Sequence, residues 1–126
     1  MRQSKLKRGQ ELSKTVDMKL EIQRLCMRAG ALAVFFEEKN TDVLSVWPRC
    51  KVAFEIDLTA KNEPRNALRD LAGGAGGVVI ACPDFAAAQA VSAKLLKYLP
   101  RELASKVGIL TINVLGMLLP DEKGTL

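Results

Sequence analysis

KVAFEIDLTAK, residues 51–61, is the stretch whose reading decides the fold. Taken alternately, Val52, Phe54, Ile56, Leu58 and Ala60 are apolar, whereas Lys51, Glu55, Asp57, Thr59 and Lys61 are polar or charged, with Ala53 the exception in that row. Successive side chains of a strand point to opposite faces, so this alternation predicts a β-strand with one buried face. An antiparallel strand with one wet face has this pattern. The same strand also lines up two carboxylates, a hydroxyl and an ammonium along one side. The rest of the chain must say whether that side is only solvated.

Working outward, ALAVFFEE (31–38) and VLSVW (43–47) are two further strand candidates, separated by the turn-like KNTD (39–42) and closed by Pro48. With 51–59 they predict a β-meander. Upstream, residues 10–29 carry Leu12, Val16, Leu20, Leu25 and Met27 at near-helical spacing, and Gly30 follows as a stop, which predicts one long helix. Downstream, NEPRNALRDLAGG (62–74) reads as a helix, with Asn62 or Glu63 as its cap, Pro64 in its first turn and Gly73 at its end. GVVIAC (77–82) is a continuous β-branched apolar run, the mark of a strand buried on both faces by parallel pairing. Asp84 caps a helix running to Tyr98, VGILTINVL (107–115) is a last buried strand, and 120–126 form a loose tail. The expected fold is α/β, a single mixed sheet in the order α-β-β-β-α-β-α-β, in one domain spanning 1–126 with a basic segment at 1–9.

The totals narrow the chemistry. At 126 residues the chain is long enough to bury one core, and its 48% hydrophobic and 26% charged content is globular rather than disordered. Lys plus Arg exceed Asp plus Glu by 19 to 14, a moderate excess that favours a polyanionic partner. Cys26, Cys50 and Cys82 are odd in number, widely spaced and without a CxxC, which fits reduced thiols in a cytoplasmic protein. The chain contains no histidine, which excludes Ser-His-Asp and Cys-His catalysis and argues against zinc. Arg2, Lys5, Lys7 and Arg8 precede no apolar stretch of signal-peptide type, and the apolar run 107–119 is too short for a bilayer, so a soluble protein with no membrane partner is expected.

GGAGG (73–77) follows a helix and opens a strand, the reverse of a phosphate-binding glycine loop, so it reads as a helix cap and tight turn. Trp47 and Tyr98 are too few to make a base-stacking surface and read as packing residues. The carboxylates remain. Glu55 and Asp57 are two apart on one strand and share a face. If strands two and three form a hairpin, Asp42 falls close to them. Three acids so placed repel unless a cation or a proton intervenes. Oxygen-only ligands suit Mg²⁺ or Mn²⁺, and Lys61, or Lys51 less directly, is placed to hold a phosphate or polarise a water. This is equipment for metal-assisted phosphodiester hydrolysis.

The order helix–strand–strand–strand–helix–strand, with an acid in NTDVLSV and an acid pair in AFEIDLT, resembles the PD-(D/E)XK nuclease superfamily over roughly residues 10–82. The resemblance implies a restriction-endonuclease-like, Holliday-junction-resolvase-like core acting on DNA as a Mg²⁺-dependent endonuclease. Asp42 matches the family's first metal-binding aspartate and Glu55 the first acid of its (D/E)XK motif. Glu11 matches a helix glutamate of resolvase-like members. Asp57 stands where the motif lysine is expected, so the variant is ExD, and no proline precedes Asp42. Lys61 in LTAKN is the natural substitute for the lysine, with Arg65 and Arg69 as later options. Asp42, Glu55 and Asp57 would hold the metal, and Lys5, Lys7, Arg8, Lys14, Arg65 and Arg69 would contact the nucleic-acid backbone. A homodimer with one site per strand of a duplex is also implied, the apolar C-terminal strand supplying its interface. Two alternatives stay open: an inactive member of the fold that binds nucleic acid, and a protein-interaction subunit.

Overall fold

The computed structural model describes residues 8–38, 41–57 and 63–118. Five strands form one mixed sheet: β1 (Ala33–Glu38), β2 (Thr41–Val46), β3 (Lys51–Ile56), β4 (Gly77–Cys82) and β5 (Val107–Thr111). Their spatial order is the chain order, with β1/β2 and β2/β3 antiparallel and β3/β4 and β4/β5 parallel. Four helices accompany them: α1 (Arg8–Ala29), α2 (Glu63–Ala72), α3 (Phe85–Tyr98) and α4 (Ile112–Leu118), with a 3-10 turn at Arg101–Lys106.

The meander places Val43 opposite Phe54 and Leu44 opposite Ala53, so neighbouring residues of β2 and β3 divide between two cores. On one face, Met18, Ile22, Leu25 and Cys26 of α1 and Leu115 of α4 pack on Val43, Phe54 and Ala81. The buried α1 positions recur every three to four residues, which turns one stripe of the helix to the sheet. Gly30, at φ 107, ends the helix in a conformation open to glycine, and Ala31 N–H closes back on the Cys26 carbonyl at 3.0 Å. On the other face, Ala67 of α2 and Val91 and Leu95 of α3 pack on Leu44, Ala53, Val78, Ile80 and Cys82. Complete burial of a side chain such as Ile22 or Ile80 contributes about 1.5–3 kcal/mol.

The strand expected over 77–82 is found, paired in parallel on both sides. Asp84 caps α3 as expected, accepting the Ala87 N–H at 2.8 Å. The GGAGG segment makes the expected helix-to-strand turn, with Gly74 at φ 107 and Gly76 N–H donating to the Lys51 carbonyl at 2.8 Å. Trp47 is half-buried against the α1-side core, its Nε1 donating to Ser45 Oγ at 2.8 Å. Cys26 and Cys82 are buried and Cys50 is exposed, all as free thiols.

Two expectations are corrected. The run 107–115 is not one strand: the ladder with β4 stops at Thr111 and α4 begins at Ile112. Thr111 Oγ1 accepts the Val114 N–H at 3.4 Å, and Leu115 turns into the α1-side core. An apolar run cannot distinguish the two, because strand and helix both bury it. The third strand also ends earlier than expected, at Ile56, leaving Asp57 just beyond it. The expected tail at 120–126 and Lys61 lie outside the described residues. Among those described, no helix is long and apolar enough to cross a membrane.

Candidate active site

Glu55 shares a strand face with Ala53, the face covered by α2, and the parallel register sets it beside Ile80 of β4. Its side chain is only 4% exposed. Asp42 lies two residues before Leu44 and so projects to the same side of β2. Its Oδ2 accepts the Ile56 N–H at 2.8 Å, which ties it to the end of β3. The hairpin geometry therefore brings together the two acids that the sequence separates by thirteen positions.

α2 closes the cluster. Arg69 Nη2 donates to Glu55 Oε2 at 2.9 Å and to Asp70 Oδ1 at 3.2 Å, and Arg69 Nε reaches the same Asp70 oxygen at 3.2 Å. Thr41 Oγ1, at the start of β2, donates to Asp70 Oδ1 at 3.2 Å. The Asp70 side chain is 1% exposed, whereas that of Arg69 is 39% exposed. The guanidinium thus runs from a buried acid pair out to solvent.

Burial pushes the Glu55 carboxyl up to about 10, and a hydrogen bond to Asp70, the charge of Asp70 and the charge of Asp42 push the same way; Arg69 opposes them. Asp70 Oδ2 is buried and receives no N–H or hydroxyl among the described residues. A protonated Glu55 donating to the Asp70 carboxylate accounts for both observations. The Asp42 carboxyl is also raised, chiefly by burial and further by Glu37, against the Ile56 N–H and Lys19. Lys19 in turn is ion-paired with Glu37 of β1.

Of the other expected site residues, Asp57 is buried and its N–H donates to the Ala81 carbonyl at 3.0 Å. The acid that acts most strongly on Glu55 is Asp70, not Asp57. Lys61, Lys5 and Lys7 lie outside the described residues. Arg8 and Glu11 fall within α1. Lys14 is exposed on α1 and Arg65 on α2, helices that cover opposite faces of the sheet. Arg69, expected at a nucleic-acid backbone, is engaged with Glu55 and Asp70.

Asp70 and Thr41 were not singled out by sequence reasoning. Asp70 carried a readable signal, since it follows the buried Ala67 at helical spacing and an acid on a buried stripe calls for partners. Thr41 carried none, because it sits in what read as a turn.

Asp42 and Glu55 suit Mg²⁺ or Mn²⁺ by donor type. Mg²⁺ is commonly held by one or two carboxylates, with waters and substrate phosphate completing the shell. Burial disfavours the charged form of both acids, a cost that a bound cation would offset. Among the described residues, no group of three or more His, Cys, Asp or Glu is arranged to hold a metal, so the fit is to a two-acid site. Comparison with known proteins finds no family model, no curated protein and no solved structure that matches the chain.

Proposed function

We propose that this chain is a nuclease-like domain of the PD-(D/E)XK kind, hydrolysing phosphodiester bonds of DNA with Mg²⁺ or Mn²⁺ held by Asp42 and Glu55. The observation that carries the reading is the single cluster of Asp42, Glu55 and Arg69 on one side of β2 and β3. The order of elements through β4, and the strand order β1-β2-β3-β4, support it further. Arg69 answers the missing ExK lysine. It sets a cation beside Glu55 and keeps part of its side chain in solvent, where a phosphate can reach it. Asp42, anchored by the Ile56 N–H, keeps its carboxylate oriented across the two strands. Asp70 and Thr41 fix the guanidinium and so position it. A bound cation would supply an acidified water and a counter-charge for the phosphate. The three free thiols support a reducing, cytoplasmic setting.

A second reading is a non-catalytic nucleic-acid-binding module. It is favoured by Asp57 in the place of the lysine and by the engagement of Arg69 with two acids. Calorimetric titration of Mn²⁺ into the native chain and into the Asp42→Ala, Glu55→Ala double variant, followed by cleavage assays on DNA, separates the two. Metal binding and cleavage that both vanish in the double variant support the enzyme. Salt-sensitive DNA binding with no cleavage in any divalent cation would establish the binding module instead.

A further inference from the structure

Phenylalanine is among the residues most often fully buried, yet of the four in this chain only Phe54 is buried. Phe35 is 46% exposed and Phe85 is 70% exposed, whereas Phe36, opposite Val43, turns to the α1 side. Phe35 lies directly opposite Leu44, which in turn lies opposite Ala53, so it shares the face of Glu55. Two strand spacings across and two residues along set it about 12 Å from Glu55. The helices of that face, α2 and α3, pack over β3, β4 and β5, and Phe35 stays half open on the β1 side. Phe85 opens α3 just past the carboxyl end of β4, the end at which Glu55 lies beside Ile80 and the Asp57 N–H meets the Ala81 carbonyl. Two exposed aromatic rings therefore flank the Glu55 cluster, one toward β1 and one toward α3.

Cations accompany them. Lys51 is exposed, shares the face of Ala53, and lines a small cleft together with Leu44 and Arg69. Leu44 is the residue opposite Phe35, so a strand whose base covers Phe35 has Lys51 and Arg69 beside its phosphates. The net charge of +5 adds attraction of the same sign.

We infer that the DNA taken by the Glu55 cluster is single-stranded, with one base stacked on Phe35, another on Phe85, and the backbone between them crossing Arg69. The inference rests on the reading of this cluster as a nucleic-acid site. A duplex cannot use these rings, because its base faces are already stacked on one another. An unpaired strand offers them open faces, and every base has one, so the rings select strandedness and not sequence.

The test is fluorescence anisotropy of a labelled mixed-sequence DNA strand, alone and annealed to its complement, titrated with the full chain in EDTA so that nothing is cut. The native chain is expected to bind the single strand more tightly than the duplex. Phe35→Ala and Phe85→Ala are each expected to weaken single-strand binding by about 5- to 150-fold and to leave duplex binding unchanged. Phe35→Trp keeps a stacking ring and should bind as the native chain does, which separates lost stacking from lost folding. Tyr98→Ala, at the far end of α3, should change nothing. Equal affinity for the two forms overturns the inference. So does single-strand binding that survives both alanine variants, or that Tyr98→Ala weakens as much. Cutting in Mn²⁺ tests the nuclease reading separately. Single-strand binding that needs Phe35 but leads to no cutting fails that reading alone, whereas preferential cutting of the duplex fails this inference alone.

Discussion

On one face of β3, Phe54 packs with Ile22, Leu25 and Leu115, with Val52 and Ile56 beside it, in a wholly apolar cluster under α1 and α4. On the other, Ala53 shares its side with Glu55, whose neighbours are Arg69, Asp70 and Asp42. Phe54 and Glu55 are equally inaccessible, both 3% exposed, yet their environments act in opposite directions. Around Phe54 the exclusion of water is itself the stabilising term. Around Glu55 the same exclusion is a cost, offset by a retained proton and one guanidinium. The first face of β3 is held by apolar burial alone, whereas the second sets a cluster of buried polar groups beside its own apolar core.

The sharpest way to break this comparison is Phe54→Ala. It removes a ring from a closed core and should lower unfolding free energy by about 3–5 kcal/mol in urea titrations. A loss below about 1 kcal/mol would mean that this face is not the dry core described.

Arg69→Ala should cost less, about 1–3 kcal/mol at neutral pH, since the guanidinium is partly exposed and its screened share must be discounted. The loss arises because Glu55 and Asp70 then lose the hydrogen bonds of the guanidinium. A loss below about 0.5 kcal/mol in urea titrations would mean that these bonds do not stabilise the fold.

Glu55→Gln should have the opposite sign, and an effect that depends on pH. The carboxyl titrates at its ordinary value of 4.5 when unfolded and near 10 when folded, so the native state binds the proton more tightly. That contribution to stability is complete below pH 4.5 and is lost progressively as pH rises toward 10. Glutamine keeps the neutral shape without titrating. The variant should therefore match the native chain near pH 4 and grow steadily more stable than it as pH rises toward 10. Parallel thermal melts across that range check it, and a gap that does not widen with pH would place the proton elsewhere.

Much of the scaffold was legible beforehand because local rules and the global arrangement agree. The alternation of 51–56, the helical stripe of α1, the Asp84 cap and the β-branched run of β4 each have one low-energy reading. The closeness of Asp42 to the end of β3 was legible too, since a short hairpin leaves little choice of register. The end of β5 was not, because Ile112 and Leu115 are apolar in either conformation and only contact with α1-side neighbours selects the helix. The partner of Glu55 was equally hidden. Asp70 is fifteen residues away on another element, and no pattern within β3 points to it.

What the sequence by itself determined is which residues share a face. A strand's period of two and a helix's period of 3.6 follow from the backbone alone. What only the tertiary structure decided is what covers each face. The alternation of KVAFEIDLTAK suggested one buried side and one wet side, and α2 then docked its Ala67, Arg69 and Asp70 over the second. Burial lowers the local dielectric, and the dielectric sets whether a carboxyl keeps its proton. The chemical state of Glu55 is therefore a property of how α2 packs on β3, which no residue of β3 encodes.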